Sequence, residues 1–276
     1  MDAKSLRVVP RRHPGRWVAA AVCILAVAAL IRAFAYGQIE WDVVGQYMTA
    51  PVILDGLVNT IVMTVCAMAL GLGLGVLFAV MGMSPNPVLV NVSRGYIWFF
   101  RGTPLLLQLL LWFNLALVFP RLGIPGLWDV RTVDVITPFV ATLLGLGINQ
   151  GAYTAEVVRA GILSVDRGQT EAAQAVGMTR MQAMFRIVLP QALRVIVPPV
   201  GNEVISMVKL TSVASVIQFS EILRSAQNIY YANARVIELL IVAAAWYLAV
   251  VSVLSVLQAL LERRLARGVA TAGRTA

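Results

Sequence analysis

The chain has 276 residues, 59% of them hydrophobic and 13% charged, with a formal charge of +9 and a mean hydropathy of +0.82. Soluble domains carry about 25% charged residues, so lipid is the solvent for much of this surface. Intrinsic disorder, collagen-like repeats and disulfide scaffolds are excluded by the same balance.

Residues 1–16 form a basic tail holding the single histidine, His13. One histidine cannot build a Ser–His–Asp or Cys–His constellation or a histidine-rich metal site. Cys23 and Cys66 lie in apolar runs and read as small packed side chains. No enzyme, metal site or cofactor of the chain's own is therefore expected. The stretch from Trp17 to Ile31 has no charge, and Ala33 to Tyr36 extend it to a span over residues 17–36, with Arg32 snorkelling. Ala33-Phe34-Ala35 looks like a signal cleavage site, but Arg32 and the length favour a retained helix.

The uncharged run Gly56 to Ser93 exceeds one span and ends in Ser84-Pro85-Asn86-Pro87. Its Gly71-Leu72-Gly73-Leu74-Gly75 is no dinucleotide fingerprint, since Val76 stands where a glycine is needed; small residues here let helices approach closely. The chain has no P-loop. Further uncharged runs are Gly102 to Pro120, Val135 to Ala155 and Leu239 to Leu261. Val195 to Phe219 is apolar but interrupted by Glu203, Lys209 and Pro198-Pro199. Six spans result. With both termini in the cytoplasm, the inner pieces hold sixteen basic residues against five outside, a positive-inside pattern. The basic balance is topology rather than nucleic-acid binding.

The loop from Ser164 to Pro190 is predicted to be two short helices at a sharp bend. Asp166, with Gln169 three residues on, caps the first, and Gly177 suits its left-handed end. Thr179 with Gln182 is a capping box for the second, which carries Met181, Met184, Phe185 and Val188 and is expected to stop before Pro190. Small residues and an apolar face on a capped, exposed element suit docking into a soluble partner better than lying on lipid.

Glu171-Ala172-Ala173, then Gly177, then Ile187-Val188-Leu189-Pro190 resembles the EAA loop of ABC-importer permeases. Phe100-Arg101-Gly102-Thr103-Pro104-Leu105-Leu106, Ala155-Glu156-Val157-Val158-Arg159-Ala160-Gly161-Ile162, Leu189-Pro190-Gln191-Ala192-Leu193-Arg194 and Lys209-Leu210-Thr211-Ser212 look like permeases of the histidine, glutamine, glutamate and arginine importer group. The resemblance covers about residues 50–262. It implies an all-α membrane protein of the type I importer kind: a five-span core over residues 50–262 with the EAA loop at 164–190, one extra N-terminal span, and a tail at 263–276. It also implies a second permease subunit, identical or homologous, cytoplasmic ATPases that bind ATP and magnesium, and an external amino-acid-binding protein. Glu171, Ala172, Ala173, Gly177 and Pro190 would couple to the ATPase. The segment after Lys209 has leucine where the group often has aspartate, which leaves the substrate open.

Ionisable groups within a span are costly and mark functional candidates. Glu203 and Lys209 are six residues apart, so they are not an intrahelical pair. Pro198-Pro199-Gly201 before them suggests a broken helix. For a zwitterion, Lys209, Thr211 and Ser212 suit the carboxylate, and Glu203 or Asn202 the ammonium. Asn149 and Gln150 are further polar candidates, whereas Glu156 and Arg159, one turn apart, form a structural pair. A stand-alone gradient-driven transporter or channel would want polar residues repeated through several spans. A membrane enzyme would want clustered catalytic groups. Neither pattern is present.

Overall fold

A computed structural model describes residues 14–124 and 128–265. His13 lies outside the described residues, as do most of the two basic tails. Helix α1 (Pro14–Ala35) is apolar on every side and none of it is buried against the rest of the chain. Arg32 in its last turn sits over the Tyr36 ring, 5.0 Å from the centroid. The short α2 (Trp41–Met48) leads to α3 (Pro51–Gly82), a 32-residue helix opened by Pro51 and closed before Ser84-Pro85. Asn86 then caps α4 (Pro87–Gly102), its Oδ1 accepting the Val88 amide at 2.9 Å.

The uncharged run from Gly102 to Pro120 is not one span. It breaks at Thr103-Pro104, where α4 turns by 101° into α5 (Leu105–Phe113). Pro104 forces the preceding residue out of the helical region, and Thr103 adopts φ −112, ψ 144. The α4–α5 pair is a bent unit apolar enough to be one span, and Arg94 and Arg101 sit on a helix rather than in a loop. With both withdrawn, the basic count is fourteen against five and still asymmetric.

After α6 (Leu115–Val118) comes the one sheet among the described residues. Strands β1 (Arg121–Ile124) and β2 (Trp128–Arg131) form an antiparallel hairpin with Arg121 opposite Arg131 and Leu122 opposite Val130. Arg121 bonds Asp129 at 2.7 Å and holds its carboxyl below the ordinary value. Then follow α7 (Thr132–Val135), α8 (Pro138–Leu163), α9 (Arg167–Ala175), α10 (Arg180–Ala183) and a π turn over Met184–Val188. The chain continues in α11 (Leu189–Leu210), a 3₁₀ segment over Thr211–Ile217, α12 (Ile222–Asn233) and α13 (Val236–Leu265).

By length and composition α1, α3, the rod from Arg180 to Ile217 and α13 can each cross a membrane, with a fifth crossing if the bent pair counts as one span. Helix α8 is also of spanning length but less apolar, because it is enclosed. It packs against α3, α4, α5 and α11, so Thr142, Asn149, Gln150 and Thr154 point inward and are buried.

Helices α3 and α8 meet through glycine. A Cβ on Gly71 would lie 2.7 Å from Gln150 Cγ, and one on Gly75 would lie 2.6 Å from Thr154 Cβ. Gly73, between them, has nothing within 4 Å among the described residues and faces outward. Beside this seam Met63, Leu109, Leu146, Met207 and Ile217 form the main core. A second cluster, Ile53, Ile222, Leu239 and Val242, joins α3, α12 and α13. The buried Glu221 accepts the Leu223 amide at 2.9 Å and the Arg224 amide at 2.6 Å, and the Tyr247 hydroxyl donates to it. Burial still pushes the Glu221 carboxyl above its usual range. Helix α2 is tied to α13 by the Trp246 indole, which donates to the Met48 carbonyl at 2.9 Å, and by an Arg235–Glu40 ion pair.

Pro198-Pro199 does not break its helix. Helix α11 runs through both prolines, and Gln258 of α13 donates to the Pro198 carbonyl at 2.9 Å. A neighbouring helix thus ties itself to α11 at the prolines, although the amides they lack would have served the Arg194 and Val195 carbonyls one turn earlier. The irregular stretch comes later, in the 3₁₀ segment that begins at Thr211.

Gly75→Leu should separate α3 from α8 and cost roughly 1–3 kcal/mol by overpacking. Gly73→Leu should leave stability unchanged. Thermal unfolding of the two variants in detergent checks this, and equal melting would contradict the assigned seam.

Candidate functional site

Two groups of residues stand out. The first is the helix pair between α8 and α11. Asp166 Oδ1 accepts the Gly168 amide at 2.6 Å and opens α9. Gly177, at φ +87, closes it. Its amide donates to the Gln174 carbonyl at 2.9 Å and that of Met178 to the Ala173 carbonyl at 3.1 Å, the paired bonds of a Schellman end. Thr179 and Gln182 then cap α10 reciprocally: the Gln182 amide donates to Thr179 Oγ1 at 3.2 Å and the Thr179 amide to Gln182 Oε1 at 2.9 Å.

Both caps follow the sequence expectation, with one difference. The Gln169 side chain does not bond back to Asp166; its Oε1 accepts from Gln191 Nε2 at 3.4 Å, tying α9 to the start of α11. The second helix does not stop before Pro190. It passes through the π turn into α11, so Arg180 to Ile217 is a single rod. Proline at the first turn of a helix segment needs no amide partner, and the wider π ladder absorbs the missing bond.

Glu171, Ala172, Gly177 and Pro190 are exposed. Ala173 is buried, as are Ala183 and Val188; Ala173 holds the pair together rather than facing outward. The apolar surface presented outward is Val176, Met181 and Phe185, at 75%, 67% and 60% exposure. Met184 is half-buried.

The second group lines a cavity of about 560 Å³ between α4, the bend, α8 and α11. Its polar wall is Arg101, Thr103, Asn149, Gln150, Tyr153, Glu203 and Ser206. Glu203 Oε2 accepts from Gln150 Nε2 at 2.7 Å and from Thr154 Oγ1 at 2.9 Å. Two amides hold the bend. Gln108 Nε2 donates to the Phe100 carbonyl at 3.0 Å and to Thr103 Oγ1 at 2.7 Å. Asn149 Nδ2 donates to the same Phe100 carbonyl at 2.8 Å and to Gln108 Oε1 at 3.2 Å. A concave, partly polar site of this size holds a small solute.

Of the pathway candidates, Asn149 and Glu203 meet at the cavity, with Gln150 between them. Asn202, Lys209, Thr211 and Ser212 are not on its wall. The Thr211 hydroxyl donates to the Val208 carbonyl at 2.7 Å and the Ser212 hydroxyl to the Lys209 carbonyl at 2.6 Å, so both serve the end of α11. Periodicity could have found Ser206 and Leu210, three and seven residues after Glu203, and Tyr153, three after Gln150. Arg101 was hidden because the uncharged run begins just after it. Glu156 and Arg159 do pair, at 3.1 Å.

Residues 71–267 match the family described as binding-protein-dependent transport system inner membrane component. The chain is 40% identical to the arginine transport system permease protein ArgU of Corynebacterium glutamicum, over 96% of this chain and 84% of that one. It is 39% identical to the L-cystine transport system permease protein TcyB of Bacillus subtilis, over 84% of this chain and 94% of that one. The crystal structure of an amino acid ABC transporter with histidines superposes at a TM-score of 0.72 with 37% identity, over 83% of this chain and 100% of that one. A multi-pass helical chain with these relatives belongs to the binding-protein-dependent transport system inner membrane component family, the permease subunits of ABC importers.

Proposed function

We propose that this chain carries polar amino acids inward across the plasma membrane as one half of a permease pair, powered by cytoplasmic ATPases that hold ATP and magnesium and supplied by an external binding protein. The observation that carries the reading is the capped helix pair. A loop merely joining two spans needs no Schellman end, no reciprocal capping box and no outward Val176, Met181 and Phe185. Exposed apolar clusters of this kind mark interaction sites. Glu171, Ala172 and Gly177 flank the cluster and Pro190 stands at the root of the rod, so these dock on or transmit to the ATPase. Ala173 keeps the pair rigid.

The rod makes the coupling mechanical. From Met181 to Glu203 the chain is helical without interruption, about 33 Å at 1.5 Å per residue. A push on the docking end therefore reaches the cavity wall without passing through a flexible link. ATP-driven closure favours one tilt of the rod only through such differential contact. The arginine and cystine named for the relatives are polar amino acids, and a cavity holding one acidic and one basic side chain suits them. The positive-inside pattern supports six spans with both termini in the cytoplasm, α1 being the extra one.

Glu171→Lys and Gly177→Leu should each lower ATP-driven uptake in proteoliposomes at least about tenfold, the loss of a charge-assisted contact or of a left-handed turn. Membrane insertion should be normal, and the ATPase should co-purify less. Wild-type uptake by both variants would remove the coupling assignment. Glu203→Gln should preserve assembly and ATP hydrolysis while cutting uptake about tenfold, the scale of one hydrogen bond to a charged group. Unchanged transport would remove the cavity from the pathway.

A further inference from the structure

The cavity holds two opposite charges whose surroundings differ. Glu203 is held at Oε2 by Gln150 and Thr154, while Oε1 accepts no hydrogen bond among the described residues. Arg101 is held less firmly. Its Nη1 lies 3.7 Å from Glu156 Oε2, beyond hydrogen-bond reach, and Glu156 is already engaged by Arg159 at 3.1 and 3.3 Å. One carboxylate is shared by two guanidinium groups, and Arg159 has the better part of it. The Arg101 guanidinium lies over the Tyr153 ring, 5.1 Å from its centroid, and donates no hydrogen bond among the described residues. Five N–H donors on a cavity wall are thus unspent.

The backbone beneath this side chain is fixed. The Phe100 carbonyl, one residue before Arg101, accepts from both Gln108 and Asn149. The residues that follow, Gly102, Thr103 and Pro104, also line the cavity. Arg101 is therefore a cation on a fixed backbone with an uncommitted fork, a shape matched to a carboxylate taken through two parallel bonds.

We propose that Arg101 clasps the α-carboxylate of the amino acid in transit, competing with Glu156 for the guanidinium, while Glu203 takes an ammonium group. This rests on the cavity being the substrate site. When substrate binds, Arg101 leaves Glu156, which keeps Arg159 as its partner, so no buried carboxylate is abandoned. The pair reads the backbone that all amino acids share. Side-chain selection falls to other groups on the wall, such as Tyr153 and Ser206, and to the binding protein.

The test is equilibrium binding to the purified permease–ATPase assembly without binding protein. The probes are L-arginine and L-cystine against their decarboxylated forms, agmatine and cystamine. The wild type should prefer the amino acid by about tenfold or more, the scale of a hydrogen-bonded ion pair. Arg101→Gln should abolish that preference, weakening the amino acid to the level of the amine and leaving the amine unchanged. Arg101→Lys, which keeps the charge and loses the fork, should fall between them and carries the test if the glutamine variant does not assemble. Equal weakening of acid and amine, or no change in either, overturns the clasp alone. Absence of any binding to the wild type overturns the cavity as substrate site, and the clasp with it.

Discussion

Pro104 cannot continue α4, and inside a bilayer the backbone groups that a broken helix frees must find partners within the protein. Much of the molecule's interior follows from that requirement. The carbonyl at the end of α4 is satisfied by Gln108 and Asn149, and those two amides bond to each other. They are buried because α5 and α8 are pressed together there, and α8 is in turn pressed onto α3 through Gly71 and Gly75. A helix enclosed on so many sides can carry Asn149, Gln150 and Thr154 in succession without facing lipid. Irregular backbone at this depth is tolerated where it lines a cavity, and a cavity is what the bend lines.

The same economy explains how the distant helix pair communicates with this interior. Helices α9 and α10 bury little beyond Ala173 and Ala183, so their shape comes from capping rather than from a core. Each cap satisfies end groups that would otherwise bind water and fray. Because α10 flows into α11, the stiffness made by a few capping bonds is handed to a helix that reaches Glu203. The two prolines do not interrupt it, and Gln258 of α13 contacts that stretch from the side.

Much of this was legible in the residues. Asp166, Gly177, Thr179 and Gln182 announced the helix pair because capping is local chemistry, decided within four positions. The long apolar runs announced α1, α3 and α13 for the same reason. The bend was not legible, because absence of charge marks where lipid is tolerated and not where a helix ends; Gly102-Thr103-Pro104 was the available signal. Lys209 drew attention as a charge, yet its six-residue spacing from Glu203 already turned it away from that face, and the structure leaves it off the cavity wall. Arg101 needed tertiary information, since nothing local links the end of α4 to the middle of α8. The hairpin had strands too short for alternation to register.

Glu221 bears on what holds the last described helix in place. Its carboxylate is fully buried, caps α12, and receives the hydroxyl of Tyr247, while the neighbouring Ile222 amide reaches back to Thr60 on α3 at 3.3 Å. The partners are thus divided between α3, near the start of the described core, and α13, the last described helix. Helix α13 accordingly acts as a latch: its Tyr247 hydroxyl completes a polar junction to which α3 contributes Thr60 and α12 the Ile222 amide.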